Sequence, residues 1–312
     1  MPDIHCRLAP LETLAAIAVS GKDAASFLAA QLSQQIPGET PQTAPFAGWH
    51  DAKGRVQGLF RVLRRADAFL LLTHASVAAD LIAELRRYVL RADVTIAAST
   101  EQTAALLGDC TAALGGAGAA LGREHGDTVA ADEEIWLRLG SALALLIAPE
   151  ERMRRWVNRL PGATAATAEL AEIRLGLPVL SASLRGLFLP QMLNLDLLGG
   201  VAFDKGCYPG QEVIARTQNL GTVKRRLLRF SASPGADAAP AAGAMLLDSA
   251  GQPVGTVVRA ACAAKGVELL AVTELAARDS RLTCDQLPGA MIRLEELPYP
   301  VPGLGPPRGV HG

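Results

Sequence analysis

DKGCYPGQE, residues 204–212, is the stretch on which the reading of this chain turns. The sequence holds five cysteines and five lysines in 312 residues, and one of each stands here two residues apart around Gly206. Gly199-Gly200 breaks a leucine-rich run upstream, and Pro209-Gly210 is a turn signal, so Cys207 is expected on a loop. From Gln211 either a helix or a strand fits the run through Val213 and Ile214. A cation such as Lys205, or a helix start close by, favours the thiolate of a displayed cysteine. The same cysteine reads equally well as a small apolar side chain buried in a tight turn. The residues alone leave both readings open.

Outward from this stretch the composition is globular: 50% apolar, 20% charged, net charge −1. That charge gives no general attraction to nucleic acid or to acidic membranes. The basic groups Arg152, Arg154 and Arg155, and the run Lys224-Arg225-Arg226, read as ordinary surface. The start of the chain shows no basic region leading into a long apolar run. Its longest apolar stretches, such as 142–148, fall short of the roughly 20 residues a spanning helix needs. The expectation is a cytoplasmic protein with reduced thiols, no membrane and no direct nucleic-acid partner. Cys6, Cys110, Cys207, Cys262 and Cys284 are scattered without a CxxC pair, which argues against a disulfide framework and against a stably bound metal. The five histidines show no metal-ligand spacing. Residues 116–122 superficially resemble a dinucleotide loop, but the spacing is wrong for GxGxxG. The acidic run Asp132-Glu133-Glu134 reads as a solvated loop.

Hydrophobic periodicity divides the chain. Residues 14–19 read as a buried strand, followed by a helix capped by Ser20 or Asp23 with Ala24, Phe27, Leu28 and Leu32 at helical spacing. Residues 44–72 read as strands around the turn Asp51-Ala52-Lys53-Gly54-Arg55. Residues 76–90 repeat apolar side chains as an amphipathic helix, and 94–97 as a strand. A second unit of similar order follows, with strands at 104–107, 135–139 and 143–147. Residues 112–121 are a helix or a loop, and 150–160 a helix with Met153, Trp156, Val157 and Leu160 on one face. After Arg226, short β-rich runs alternate with Gly, Pro and Asp turns, the pattern of a small antiparallel barrel or sandwich. The last dozen residues, 301–312, are expected to be flexible.

The signature Lys205-Gly206-Cys207-Tyr208 with Gly210-Gln211-Glu212 resembles that of the YgfZ family of folate-binding proteins. These are relatives of the aminomethyltransferase, or T-protein, of the glycine cleavage system. Phe188-Leu189-Pro190-Gln191-Met192 with Asn194-Leu195 is similar to the family's FxPQxxNL lead-in. The segment 173–178 resembles its IxxGxP element, and 51–55 its DAKG hairpin. Gly255-Thr256-Val257 fits its barrel, so the resemblance covers essentially the whole chain.

The resemblance implies an α+β fold: a T-protein-like ring of two α+β subdomains, 1–100 and 101–227, and a C-terminal antiparallel β-barrel, 228–312. It implies a tetrahydrofolate-binding accessory protein that supports assembly or repair of iron–sulfur clusters in client enzymes, tRNA-modifying enzymes among them. Cys207 would act with Lys205 as the reactive pair and as a transient iron–sulfur ligand, with the partner supplying the other ligands. Gly206 and Gly210 would permit close backbone approach. Gln211 and Glu212 would order the loop or meet a ligand, beside Tyr208. Asp51, Lys53, Arg174, Gln191 and Asn194 would serve the folate, the basic members through its glutamate tail. T-protein holds its pterin with a glutamate where this sequence has Arg174, which argues against the transferase chemistry. Two rival readings stand: a tetrahydrofolate-dependent one-carbon (aminomethyl) transferase or demethylase, and a non-catalytic folate-binding module with a structural cysteine.

Overall fold

Short, largely continuous apolar runs in the front half build two antiparallel sheets whose inner strands are buried on both faces. The computed structural model describes residues 6–36, 38, 43–65, 68–116, 120–233 and 238–304. The first sheet has the order β3-β4-β5-β2-β6: Phe46–His50, Val56–Arg65, Ala68–His74, Leu14–Ser20 and Thr95–Ala98. Helices α1 (Ala24–Gln31) and α2 (Ala75–Arg86) bury Phe27, Leu28, Leu81 and Leu85 against one of its faces, with Ile17, Phe60 and Leu71. The hairpin at 51–55 forms as its sequence predicts. Asp51 Oδ1 accepts the backbone N–H of Lys53 and of Arg55, both at 2.9 Å, and Gly54 takes φ +72°. This is the side-chain-to-backbone turn that Asp favours.

The second sheet has the order β1-β7-β10-β9-β8: Arg7–Pro10, Gln102–Leu107, Leu143–Ala148, Glu134–Gly140 and Thr128–Ala131. The stretch 112–121 is a single helical turn, α3 (Thr111–Leu114), with 117–119 outside the described residues. Helix α4 (Glu150–Arg159) buries Met153 and Trp156 but leaves Val157 44% exposed, off the face the periodicity gave it. Asp132 and Glu133 take positive φ, 50° and 69°, and are exposed, so the acidic run is solvated as far as Glu133, as the tight turn of the β8–β9 hairpin. Glu134 is buried and accepts the indole N–H of Trp156 at 2.9 Å. One helix escaped the periodicity, α5 (Ala165–Arg174), capped by Thr164 Oγ1 accepting Thr167 N–H.

The last strands, Arg225–Ser233, Met245–Leu247, Pro253–Ala263, Gly266–Glu274, Leu282–Cys284 and Leu287–Glu295 (β11–β16), close into an antiparallel barrel. The architecture is the α+β one with a C-terminal barrel. A largely apolar cluster reaches all three parts, among them Leu59 and Leu72 of the first sheet, Leu137 and Leu145 of the second, and Val258 and Leu270 of the barrel. We keep divisions at residues 100 and 228 as a proposal; β1 crosses the first of them by pairing with β7. Residues 305–312 of the expected flexible tail lie outside the described residues. No described helix is long and apolar enough to cross a membrane, which says nothing of strands.

Two cysteines correct the expectation of reduced thiols: Cys6 and Cys110, both buried, form a disulfide. The antiparallel pairing of Arg7 with Leu107 brings the two chain segments to one place across a separation of 104 residues, which no local motif records. Closing a loop of that length stabilises a fold by about 2–5 kcal/mol. Urea unfolding with dithiothreitol should therefore show a stability lowered by that amount, matching Cys110→Ser without reductant. An unchanged midpoint in reductant would contradict the bond.

Candidate functional site

The signature segment is a loop, and Cys207 on it is exposed; α6 (Gln211–Asn219) follows at once. This decides between the two readings of the cysteine in favour of display. Lys205 does not turn to the thiol. Its ammonium donates to the carbonyls of Ala29, Leu32 and Gln34 at 2.7, 2.6 and 3.1 Å, at the C-terminal end of α1. Three donors meet three acceptors there, and a cation suits that end of the helix dipole. Burial pulls its pKa down to about 8. The same ammonium stands 5.3 Å from the ring centroid of Tyr208, whose buried hydroxyl is pushed up to about 12 by desolvation.

The glycines of the loop differ. Gly210 has φ +76°, and a Cβ there would lie 2.5 Å from the carbonyl oxygen of Asp51 and 2.7 Å from Cα of Gly54. The loop therefore seats directly on the 51–55 hairpin through a contact only glycine allows. Gly206, expected to serve close approach as well, does not: a Cβ there would meet nothing within 4 Å. Gln211 Nε2 donates to the Lys205 carbonyl at 3.4 Å, which orders the loop, while Glu212 lies on the surface of α6 paired with Arg216. Beneath Tyr208 lies His50, ring centroids 6.1 Å apart, buried with neither ring nitrogen hydrogen-bonded.

A cavity opens where the three parts meet. Its volume is about 60 Å³. Leu72 and Phe46 line it from the first sheet, Leu139 and Leu145 from the second, Leu177–Leu180 from the segment after α5, and Arg259 from the barrel. Its charged lining is Arg61, Glu172 and Arg259, with His74 beside them. Glu172 Oε2 accepts from Arg259 Nη1 at 2.5 Å, and Glu169 lies 3.6 Å from the same guanidinium. Strand β3 connects cavity and loop, since Phe46 faces the one and His50 meets Tyr208 of the other. Four residues of strand span about 13 Å.

The expected folate residues lie elsewhere. Asp51 uses its carboxylate on its own hairpin and on Gln57 Nε2 (3.1 Å), and Lys53 is exposed; both sit under the signature loop, outside the cavity lining. Arg174 projects from α5 to Glu268 of the barrel, with contacts of 2.6–3.2 Å. Gln191 and Asn194 are fully buried and donate to the carbonyls of Ile214 and Leu227, at 2.9 and 2.8 Å. They tie the lead-in turn to α6 and the barrel, beside the buried ion pair Arg226–Asp196 at 2.6 and 3.0 Å. Arg61, His74, Glu172 and Arg259 leave no joint trace in the sequence because the β4–β5 hairpin, α5 and the barrel bring them together. Only the odd presence of Arg61 within the apolar run 56–63 could have flagged one of them. Among the described residues no group of three or more His, Cys, Asp or Glu could hold a metal ion.

Two five-stranded sheets and a terminal barrel give the chain an aminomethyltransferase-like fold. The structure matches the glycine cleavage system aminomethyltransferase T from Bartonella henselae with a TM-score of 0.74, over 94% of this chain and 86% of that one, at 16% identity. No protein-family profile matches the chain. It is 31% identical over 310 residues to the tRNA-modifying protein YgfZ of Serratia proteamaculans, spanning 94% of this chain and 92% of that protein. It is also 31% identical over 232 residues to the YgfZ of Colwellia psychrerythraea, 70% of each. The chain belongs to the YgfZ family.

The buried His50 makes the loop's support acid-sensitive. Burial drives its pKa down to about 3, against a weaker upward pull from Asp51. The folded protein keeps it neutral while the unfolded chain protonates it near 6.5, so this contribution is complete above pH 6.5 and is lost as pH falls towards 3. Between pH 7 and 4.5 one such group withdraws about 2–3 kcal/mol. In urea titrations His50→Gln should lose that much less stability than the parent over the interval. Equal losses in both would rule out a neutral buried imidazole.

Proposed function

We propose that this chain binds a tetrahydrofolate-type ligand in the cavity between its three parts. We propose further that it supports assembly or repair of iron–sulfur clusters in client enzymes, tRNA-modifying enzymes among them, through Cys207. The observation that carries the reading is the exposure of Cys207 on a loop anchored at both ends, by Lys205 on α1 and by Gly210 on the 51–55 hairpin. A thiol with only a packing role would be buried. The name tRNA-modifying protein borne by the relatives accords with such clients.

The cavity suits a folate in kind: apolar walls for a flat ring, and a few charged groups to orient it. Leu72, Leu139, Leu145 and Phe46 would exclude water from the ring, while Glu172 and Arg259 present a carboxylate and a guanidinium to its polar edge. When bound, a reduced folate supplies a carrier for one-carbon units. Cys207 would offer one ligand to a cluster, which ordinarily takes four cysteines, and the client would hold it by the rest. Phe203 and Val213, both exposed in the same segment, give a client apolar surface beside the thiol.

One observation favours a folate-dependent one-carbon transferase instead: the cavity does contain a carboxylate, Glu172. Its bond to Arg259 holds that carboxylate in an ion pair. Turnover of an amine donor with tetrahydrofolate would establish that alternative.

Calorimetry with 5-formyl-tetrahydrofolate should show saturable binding below millimolar concentration; no heat at millimolar ligand refutes the folate half of the proposal. Cys207→Ser should fold with little change in stability, as exposed loop substitutions usually do. It should fail to restore iron–sulfur enzyme activity in cells lacking their own factor. Full restoration would make the cysteine dispensable.

A further inference from the structure

Arg61 stands in the cavity wall 94% buried, since its residual exposure is 6%. Buried guanidinium groups are ordinarily paired with carboxylates, because desolvation of an unpaired charge is costly. The hydrogen-bond partners of Arg61 are neutral, and the attraction of the nearby Glu172 carboxylate offsets the burial only in part, leaving its pKa lowered to about 9. The guanidinium lies 3.4 Å from the ring centroid of Phe46, and Nη1 donates to the Ala44 carbonyl at 3.2 Å. Nη2 meets His125 Nε2 at 2.5 Å. On its other side His125 Nδ1 is 2.9 Å from the Leu139 carbonyl, which can only accept, so Nδ1 carries the proton and Nε2 accepts from Arg61. The imidazole is thus neutral, and burial together with Arg61 holds its pKa down to about 4.

Among the described residues no carboxylate forms an ion pair with Arg61. Glu172, the carboxylate lining the same cavity, is engaged by Arg259. Two of the five N–H donors of Arg61 are used by the contacts above. Because Glu172 is held by Arg259, Arg61 has no carboxylate of its own among the described residues, and an anion entering the cavity would supply one. An arginine serving only as a staple between the sheets would meet its bonding needs without facing a cavity.

We propose that Arg61 is the anion subsite of the cavity, receiving an oxyanion, a carboxylate above all, of the bound ligand. This rests on the reading of the cavity as a ligand site and adds that the ligand must be anionic and that Arg61 selects it. His125 and Phe46 are positioning residues that hold the guanidinium in the cavity wall.

The test is calorimetry on the full chain with four probes. These are 5-formyl-tetrahydrofolate, which carries a glutamate tail; tetrahydrobiopterin, a pterin without carboxylates; p-aminobenzoyl-glutamate, the tail alone; and inorganic phosphate. The parent should bind the tailed pterin about 10- to 100-fold more tightly than tetrahydrobiopterin. Arg61→Gln, shown folded by circular dichroism, should bind both equally, and Arg61→Lys should recover part of the preference. Binding of p-aminobenzoyl-glutamate lost in Arg61→Gln assigns the anion to the tail; phosphate binding lost in its place assigns the subsite to a free oxyanion. If Arg61→Gln keeps the parent's preference, the inference falls while the folate reading stands. If Arg61→Gln does not fold, the parent alone decides, and a preference under threefold overturns the inference. If the parent binds none of the pterins or their tail, the folate reading falls; phosphate binding independent of Arg61 then removes the inference too.

Discussion

The Lys205 ammonium, lodged among the carbonyls of Ala29, Leu32 and Gln34, is the contact on which the display of Cys207 depends. A helix end leaves carbonyls without intrahelical partners, and a lysine reaching across from another segment satisfies them while its charge opposes the dipole. The bond set joins residues about 170 positions apart in the chain, and so fastens the signature loop to the first unit. Gly210 provides the second anchor by backbone contact with Asp51 and Gly54. Between these anchors Cys207 has no freedom to sink into the core, and a Cβ on Gly206 beside it would meet nothing within 4 Å. The lysine of the signature therefore acts on the position of the thiol.

The loop and the cavity share a support. Strand β3 carries Phe46 at one end, under Arg61, and His50 at the other, under Tyr208. Both ends hold histidines kept neutral by burial, His125 and His50. In the cavity wall neutrality makes His125 an acceptor for Arg61; under the loop it lets His50 lie against the Tyr208 ring without a charge to solvate. A single strand thus fixes the spacing between the proposed ligand site and the proposed reactive thiol.

Much of this was legible from local patterns. The 51–55 hairpin announces itself through Asp, Lys and Gly at fixed positions, and the barrel through turn residues between β-rich runs. The loop position of Cys207 follows from its glycines and proline. Long-range facts left no local trace. Cys6 and Cys110 meet only because β1 leaves its own sequence neighbours to pair with β7. Helix α5, with alanine at four of its ten positions, has too little contrast between its faces to show a period. The cavity draws one charged residue from β4, one from α5 and one from the barrel, and of these only Arg61, within an apolar run, stands out in the sequence. Gln191 and Asn194 were assigned to a ligand from their motif, whereas their amides bond the backbone of α6 and the barrel. A buried amide in a motif holds a chain in place as readily as it holds a ligand.

The central claim is that the cavity is the ligand site and Arg61 its anion-binding end. A crystal structure of the chain soaked with 5-formyl-tetrahydrofolate tests this most directly. It should show the ring between Leu72 and Leu145 and a carboxylate within hydrogen-bonding distance of Arg61. A ligand bound elsewhere, or a cavity holding only solvent at saturating ligand, would contradict it.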